Sequence, residues 1–138
     1  METFGIDLWN NIKNLYSDKD EELNKKIFFG LAPEDTPNPY CVIHVLNCGE
    51  DSNAQTLCQY NENYNIIGSA RIQFTIYAQN DMWLDEIRED LNKRIRKLQD
   101  LTKYRILSKV LLRSKNASSF SSEIGTGLTE FEFKYESL

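Results

Sequence analysis

Between Ile67 and Leu98 the hydrophobic period of the chain switches from two to 3.6. Ala70, Ile72, Phe74, Ile76 and Ala78 alternate with Arg71, Gln73, Thr75 and Tyr77, the pattern of a strand with one apolar and one polar face. Leu84, Ile87, Leu91, Ile95 and Leu98 follow at spacings of three, four, four and three, which puts one apolar stripe on a helix. Asn80-Asp81 offers an N-cap between the two. The acidic residues Asp85, Glu86, Glu89 and Asp90 precede the basic Lys93, Arg94, Arg96 and Lys97, an order that suits the helix dipole. A half-apolar strand running straight into a half-apolar helix confines the chain to folds that lay helices on a sheet.

The remaining segments extend this pattern. Phe4, Leu8, Ile12 and Leu15 form an apolar stripe that predicts a helix over residues 3–16. Residues 17–26 are mostly charged and read as a loop or a frayed end. Ile27-Phe28-Phe29 predicts a short edge strand closed by Gly30. Three prolines, Pro33, Pro37 and Pro39, make 31–39 an irregular loop that enters the next segment already extended. Tyr40–Asn47 is apolar on both faces and predicts a central strand. Cys48–Asn53 reads as a turn, Ala54–Tyr60 as a weak strand, and 61–65 as a polar turn. Arg105–Arg113 and Leu128–Tyr135 predict two closing strands, joined by a Ser- and Gly-rich loop over 115–127. The expected fold is α+β: one domain over 1–138, an antiparallel-rich mixed sheet with two helices packed on one face.

Seven phenylalanines, seven tyrosines and two tryptophans in 138 residues speak against disorder. No apolar run approaches the roughly 20 residues that span a bilayer. The acidic N-terminus does not resemble a signal peptide, so Cys41, Cys48 and Cys58 are expected as reduced thiols in a cytosol. The net charge of −5 is unevenly spread. Residues 88–115 hold ten of the sixteen basic residues against three acidic ones, a net of +7, which leaves −12 for the rest. This segment reads as a solvated face, a nucleic-acid-binding face, or a basic face that meets an acidic face of a neighbouring subunit.

Candidate catalytic and metal constellations are weak. Cys41, His44, Cys48 and Cys58 are ligand types that zinc accepts, but Cys41 and His44 lie an odd number apart on a strand and point to opposite faces. His44 is the single histidine, so any Ser-His or Cys-His scheme must use it. Gly125-Thr126-Gly127 precedes a strand rather than a helix, unlike a phosphate-binding loop, and reads as a bend. No enzyme activity, metal or cofactor is expected.

The segments together resemble the tail-terminator (tail-completion) proteins of long-tailed bacteriophages. The resemblance rests on an opening helix and a proline-rich loop into Pro39-Tyr40-Cys41-Val42-Ile43. A polar excursion over 47–65 follows, then the alternating strand Arg71–Ala78, the Leu-rich helix Trp83–Leu98 and the closing strand Leu128–Tyr135. Head–tail connector and other neck proteins share related folds.

The resemblance implies a virion protein, assembled in the host cytoplasm, that forms a homo-hexameric ring. The ring caps the tail tube, ends its polymerisation and presents a docking surface for the head. The implied partners are further copies of the chain, the tail tube protein and the head–tail connector protein, with no membrane. Six copies would carry −30, so DNA would pass the lumen without sticking. The candidate subunit-interface residues are Arg94, Arg96, Lys97 and Arg105. The candidate tube- or lumen-facing residues are Glu50, Asp51, Asn53, Gln55 and Glu62. The proline loop 33–39 and the serine-rich loop 114–122 are further interface candidates. A small nucleic-acid-binding module using residues 88–115 is the alternative of a different class.

Overall fold

The computed structural model describes residues 3–16, 23, 26–37, 39–50, 67–79, 81–117 and 125–138. Helix α1 spans Phe4–Leu15, and its N-cap Thr3 accepts a hydrogen bond from the Ile6 amide at 3.4 Å. Its predicted stripe is the buried one: Phe4, Leu8 and Ile12 are enclosed. Strand β1 (Ile27–Phe29) and strand β2 (Tyr40–Glu50) lie parallel, Ile27 beside Cys41. Gly30 ends β1 at φ 81°, a left-handed conformation suited to glycine, and its amide bonds the Ile43 carbonyl at 2.8 Å.

Strand β3 (Ile67–Ala78) runs antiparallel to β2, and helix α2 (Asp81–Lys97) follows it. Strands β4 (Tyr104–Ala117) and β5 (Gly125–Ser137) pair antiparallel, and β5 also pairs antiparallel with β3. The sheet order is β1-β2-β3-β5-β4. The result is the α+β fold expected, an open, five-stranded, mostly antiparallel mixed sheet with two helices. Both helices cover one face, where Leu84, Leu91 and Ile95 of α2 and the α1 stripe share a core with Ile43, Ile72, Phe74, Ile76, Phe131 and Phe133.

The strands outrun their sequence-based limits, by three residues or more in three places, because ladder hydrogen bonds come from the backbone and do not need apolar side chains. The turn expected at 48–53 is strand as far as Glu50: after a bulge between Val45 and Asn47, Cys48, Gly49 and Glu50 still pair with Ala70, Ser69 and Gly68. The loop expected over 115–127 is strand at both ends, with Lys115, Asn116 and Ala117 paired to Leu128, Gly127 and Thr126. Gly127 is therefore no bend. A Cβ there would sit 2.9 Å from Leu84 Cδ1, so its missing side chain lets α2 pack against β5. The weak strand over 54–60 lies outside the described residues.

Two polar contacts tie the helices to the rest. Asp7 is fully buried and accepts from the amides of Thr102 (3.3 Å) and Lys103 (2.7 Å), binding α1 to the turn before β4. The Lys109 ammonium donates to the carbonyls of Ile95 (3.3 Å), Arg96 (2.6 Å) and Leu98, which satisfies the C-terminal end of α2. Burial pulls the Lys109 pKa below that of an ordinary lysine.

Candidate functional site

Alternation along each strand assigns one set of side chains to the helices and the other to the opposite face. Among the described residues, no element covers that opposite face. It divides into two halves of different chemistry.

Toward β1 and β2 the face is aromatic. Tyr40 stands opposite Tyr77, their rings stacked at 4.7 Å with planes 21° apart, and Phe28 meets Tyr40 edge-on at 6.3 Å. The loop after Gly30 hangs over them and leaves a shallow cleft of about 340 Å3, floored by Tyr40, Val42, His44 and Tyr77 and rimmed by Glu34 and Asp35. Burial and the neighbouring Tyr40 hydroxyl raise the Tyr77 pKa.

Toward β5 and β4 the face is charged. Glu130, only 2% exposed, sits between Arg71 and Arg113, at 3.4 and 3.2 Å from their nitrogens. The flanking guanidinium groups, each about half exposed, fold over the carboxylate and shield it. Simple alternation puts Glu130 on a solvent face. Its burial depends on which strands flank β5, which a linear pattern does not reveal.

The basic segment 88–115 is distributed rather than gathered into one strip. Arg88 pairs with Asp85, Arg105 with Asp100 and Glu136, and Arg113 with Glu130, while Lys109 caps α2. Arg94, expected at a subunit interface, makes internal contacts. Its Nε donates to Asp90 at 2.9 Å, its guanidinium lies 4.1 Å over the Tyr16 ring, and it donates to the Leu15 carbonyl, clamping α2 to the end of α1. Arg96 and Lys97 are exposed in the last turn of α2, and Arg105 is half exposed at the start of β4. Glu50 ends β2; Asp51, Asn53, Gln55 and Glu62 lie outside the described residues. The proline loop is described apart from Asn38, and the serine-rich loop as far as Ala117.

The ligand types noted in the sequence do not meet. Cys41 is buried beneath the helices, His44 lies on the opposite face, and the Cys48 sulfur is 3.4 Å from the Tyr135 hydroxyl. Cys58 lies outside the described residues. Among the described residues no three His, Cys, Asp or Glu side chains converge as a metal site, and no helix is long and apolar enough to cross a membrane.

Burial pushes the Cys41 thiol up to about 12. The thiol therefore stays protonated and unreactive at pH 8, while exposed Cys48 is open to reagent. Peptide mapping after iodoacetamide treatment should show Cys48 modified and Cys41 protected until the protein unfolds. A folded-state pKa raised above the unfolded value contributes stability below the unfolded value, lost as pH rises through the folded one. Urea midpoints should accordingly fall from about pH 9 toward pH 12, and less steeply in Cys41→Ala.

The chain matches no protein-family model and no curated protein sequence. Among solved structures it is similar to a chain of the virion of a native gene transfer agent particle. The likeness covers 82% of this chain and 80% of that one, with a TM-score of 0.58 and 10% sequence identity. The two chains share a fold. At that identity the likeness concerns backbone architecture and not side chains, and it extends over most of both chains.

Proposed function

We propose that this chain is a structural protein of a phage-like particle, a tail terminator that assembles as a hexameric ring on the last ring of the tail tube. The observation that carries the proposal is the fold shared over four-fifths of both chains with a component of the gene transfer agent virion. It agrees with the order of segments that resembles tail-completion proteins. In this reading the ring occupies the end on which the next tube ring would polymerise. Its far side receives the head–tail connector, and DNA passes through the middle without specific contacts. The chain itself has no enzymatic role and needs no cofactor.

The architecture suits the task. The described sheet is open and ends in two unpaired edges, β1 and β4. The face away from the helices combines aromatic and charged groups rather than a uniform solvated surface. A ring needs such unlike surfaces on opposite sides of each subunit.

Deleting the gene from its phage or prophage tests the reading by electron microscopy of the lysate. Overlong tails without attached heads are the expected outcome. Tails of normal length beside unjoined, filled heads would reassign the chain to the neck as a connector protein, and normal infectious particles would reject both roles.

A further inference from the structure

The outer edge of β4 carries an unusual surface for a free strand. Two bulges interrupt its pairing with β5, between Ile106 and Ser108 and between Leu111 and Arg113, and each leaves a leucine out of register. Leu107 and Leu112 are thereby 49% and 39% exposed, and Val110 between them is 51% exposed. Among the described residues no strand pairs with the outer side of β4. Exposed edges are usually blunted by charge, shortness or a cover. This one is fourteen residues long. It carries three exposed aliphatic side chains beside Arg113 and Lys115.

The other half of the same sheet has the complementary chemistry. The cleft beneath the proline loop presents the stacked Tyr40 and Tyr77 rings, with Glu34 and Asp35 at its rim. Leu31, at its lip, is 84% exposed. From Ile27 to Glu50 there are three acidic residues and no lysine or arginine, whereas β4 has four basic residues and no acidic one. Tyrosine faces attract a lysine or arginine through cation–π contact, and carboxylates beyond them complete the pairing. Leu31 and Pro33 offer apolar surface for the β4 leucines.

We propose that the basic, leucine-bearing edge of β4 docks into the aromatic, acidic cleft of a second copy of this chain. The proposal rests on the ring reading and deepens it by naming the two contact surfaces. Because the β4 edge and the cleft over β2 and β3 are different surfaces of the sheet, the contact is heterologous: each subunit gives one surface and receives the other. Such contacts propagate head to tail until they close. Lys115 is the cation placed against Glu34 and Asp35, while Arg113 keeps its pairing with Glu130. The bulges serve the contact by turning leucines outward that a regular strand would hold in the ladder.

Two double variants test this, each confined to exposed side chains: Leu112→Asp with Lys115→Glu on the edge, and Leu31→Ser with Glu34→Gln on the cleft. Unchanged circular dichroism and melting establish that each folds, and the single changes Lys115→Glu and Glu34→Gln replace any double variant that does not. Sedimentation velocity and native mass spectrometry then read assembly. Each variant alone should lose self-association by roughly tenfold or more. An equimolar mixture should form heterodimers and stop there, since the intact edge of one meets the intact cleft of the other. Rings formed by either variant alone, or a mixture that forms no heterodimer, overturn the docking. If the wild-type chain forms rings in those same conditions, the ring reading stands without it. A wild-type chain that stays monomeric and is absent from particles removes both.

Discussion

Phe4→Ala is expected to lower the unfolding free energy by about 4 kcal/mol, the range for deleting a buried phenylalanine side chain. Phe4 is enclosed and gathers three rings around it. It stacks on Tyr135 at 4.2 Å with planes 6° apart, and it meets Tyr104 and Phe133 at 5.7 Å each. These rings come from β4 and β5, at the far end of the sheet in chain order. Losing Phe4 therefore opens a cavity and also releases α1 from the closing hairpin. For a chain of this size, that loss corresponds to a fall in Tm of roughly 10–15 °C. Phe4→Leu keeps most of the volume and should cost about 1.5 kcal/mol. Urea denaturation of the three proteins checks both values, and a Phe4→Ala loss below 1 kcal/mol would contradict this packing.

Asp7→Ala should cost about 2–3 kcal/mol, because hydrogen bonds to a charged acceptor are strong and the abandoned donors lose their partner. The Asp7 carboxylate accepts from two main-chain amides and from Asn11 Nδ2 at 3.1 Å. The turn at Thr102 and Lys103 is exposed, so water takes over part of the bonding. That places the loss below the Phe4 effect. The direct readout is hydrogen exchange: the Lys103 amide should lose protection in Asp7→Ala and keep part of it in Asp7→Asn. Unchanged exchange at Lys103 would show that the carboxylate does not hold the turn.

Elements with a single strong period were readable from residues alone. Strand β3 occupies the predicted range Ile67–Ala78, the α1 stripe is buried as its spacing implied, and α2 presents the expected leucines and isoleucines to the core. The sheet's two-sidedness followed from the same alternation. What escaped local reading depends on pairing between distant segments. Ser114–Ala117 and Gly125–Gly127 look like loop until β4 and β5 are aligned, and Gly127 acquires its role only when Leu84 is laid across it. Asp7 lies in the first turn of α1, and nothing near it in the chain signals the amides of Thr102 and Lys103. Arg94 stood out as one of a basic run, whereas its contacts with Tyr16, Asp90 and Leu15 make it a clamp between the helices. Charge reversal at Arg94 would thus disturb the fold as well as any interface. Arg96 and Lys97 are cleaner probes.

The candidate surface was legible in composition and not in geometry. Proline spacing marked 31–39 as an irregular loop, and the uneven charge marked residues 88–115, which include most of β4. That β1 and β4 lie at opposite edges of one sheet requires the order β1-β2-β3-β5-β4, which places β5 inside β4.

Tail length is the quantity that bears most directly on a terminator. Tails measured by electron microscopy in lysates of the gene deletion should lose their narrow length distribution and extend well beyond the wild-type value, and a plasmid-borne copy of this chain should restore it. Tails of unchanged length in the deletion would contradict the terminator role.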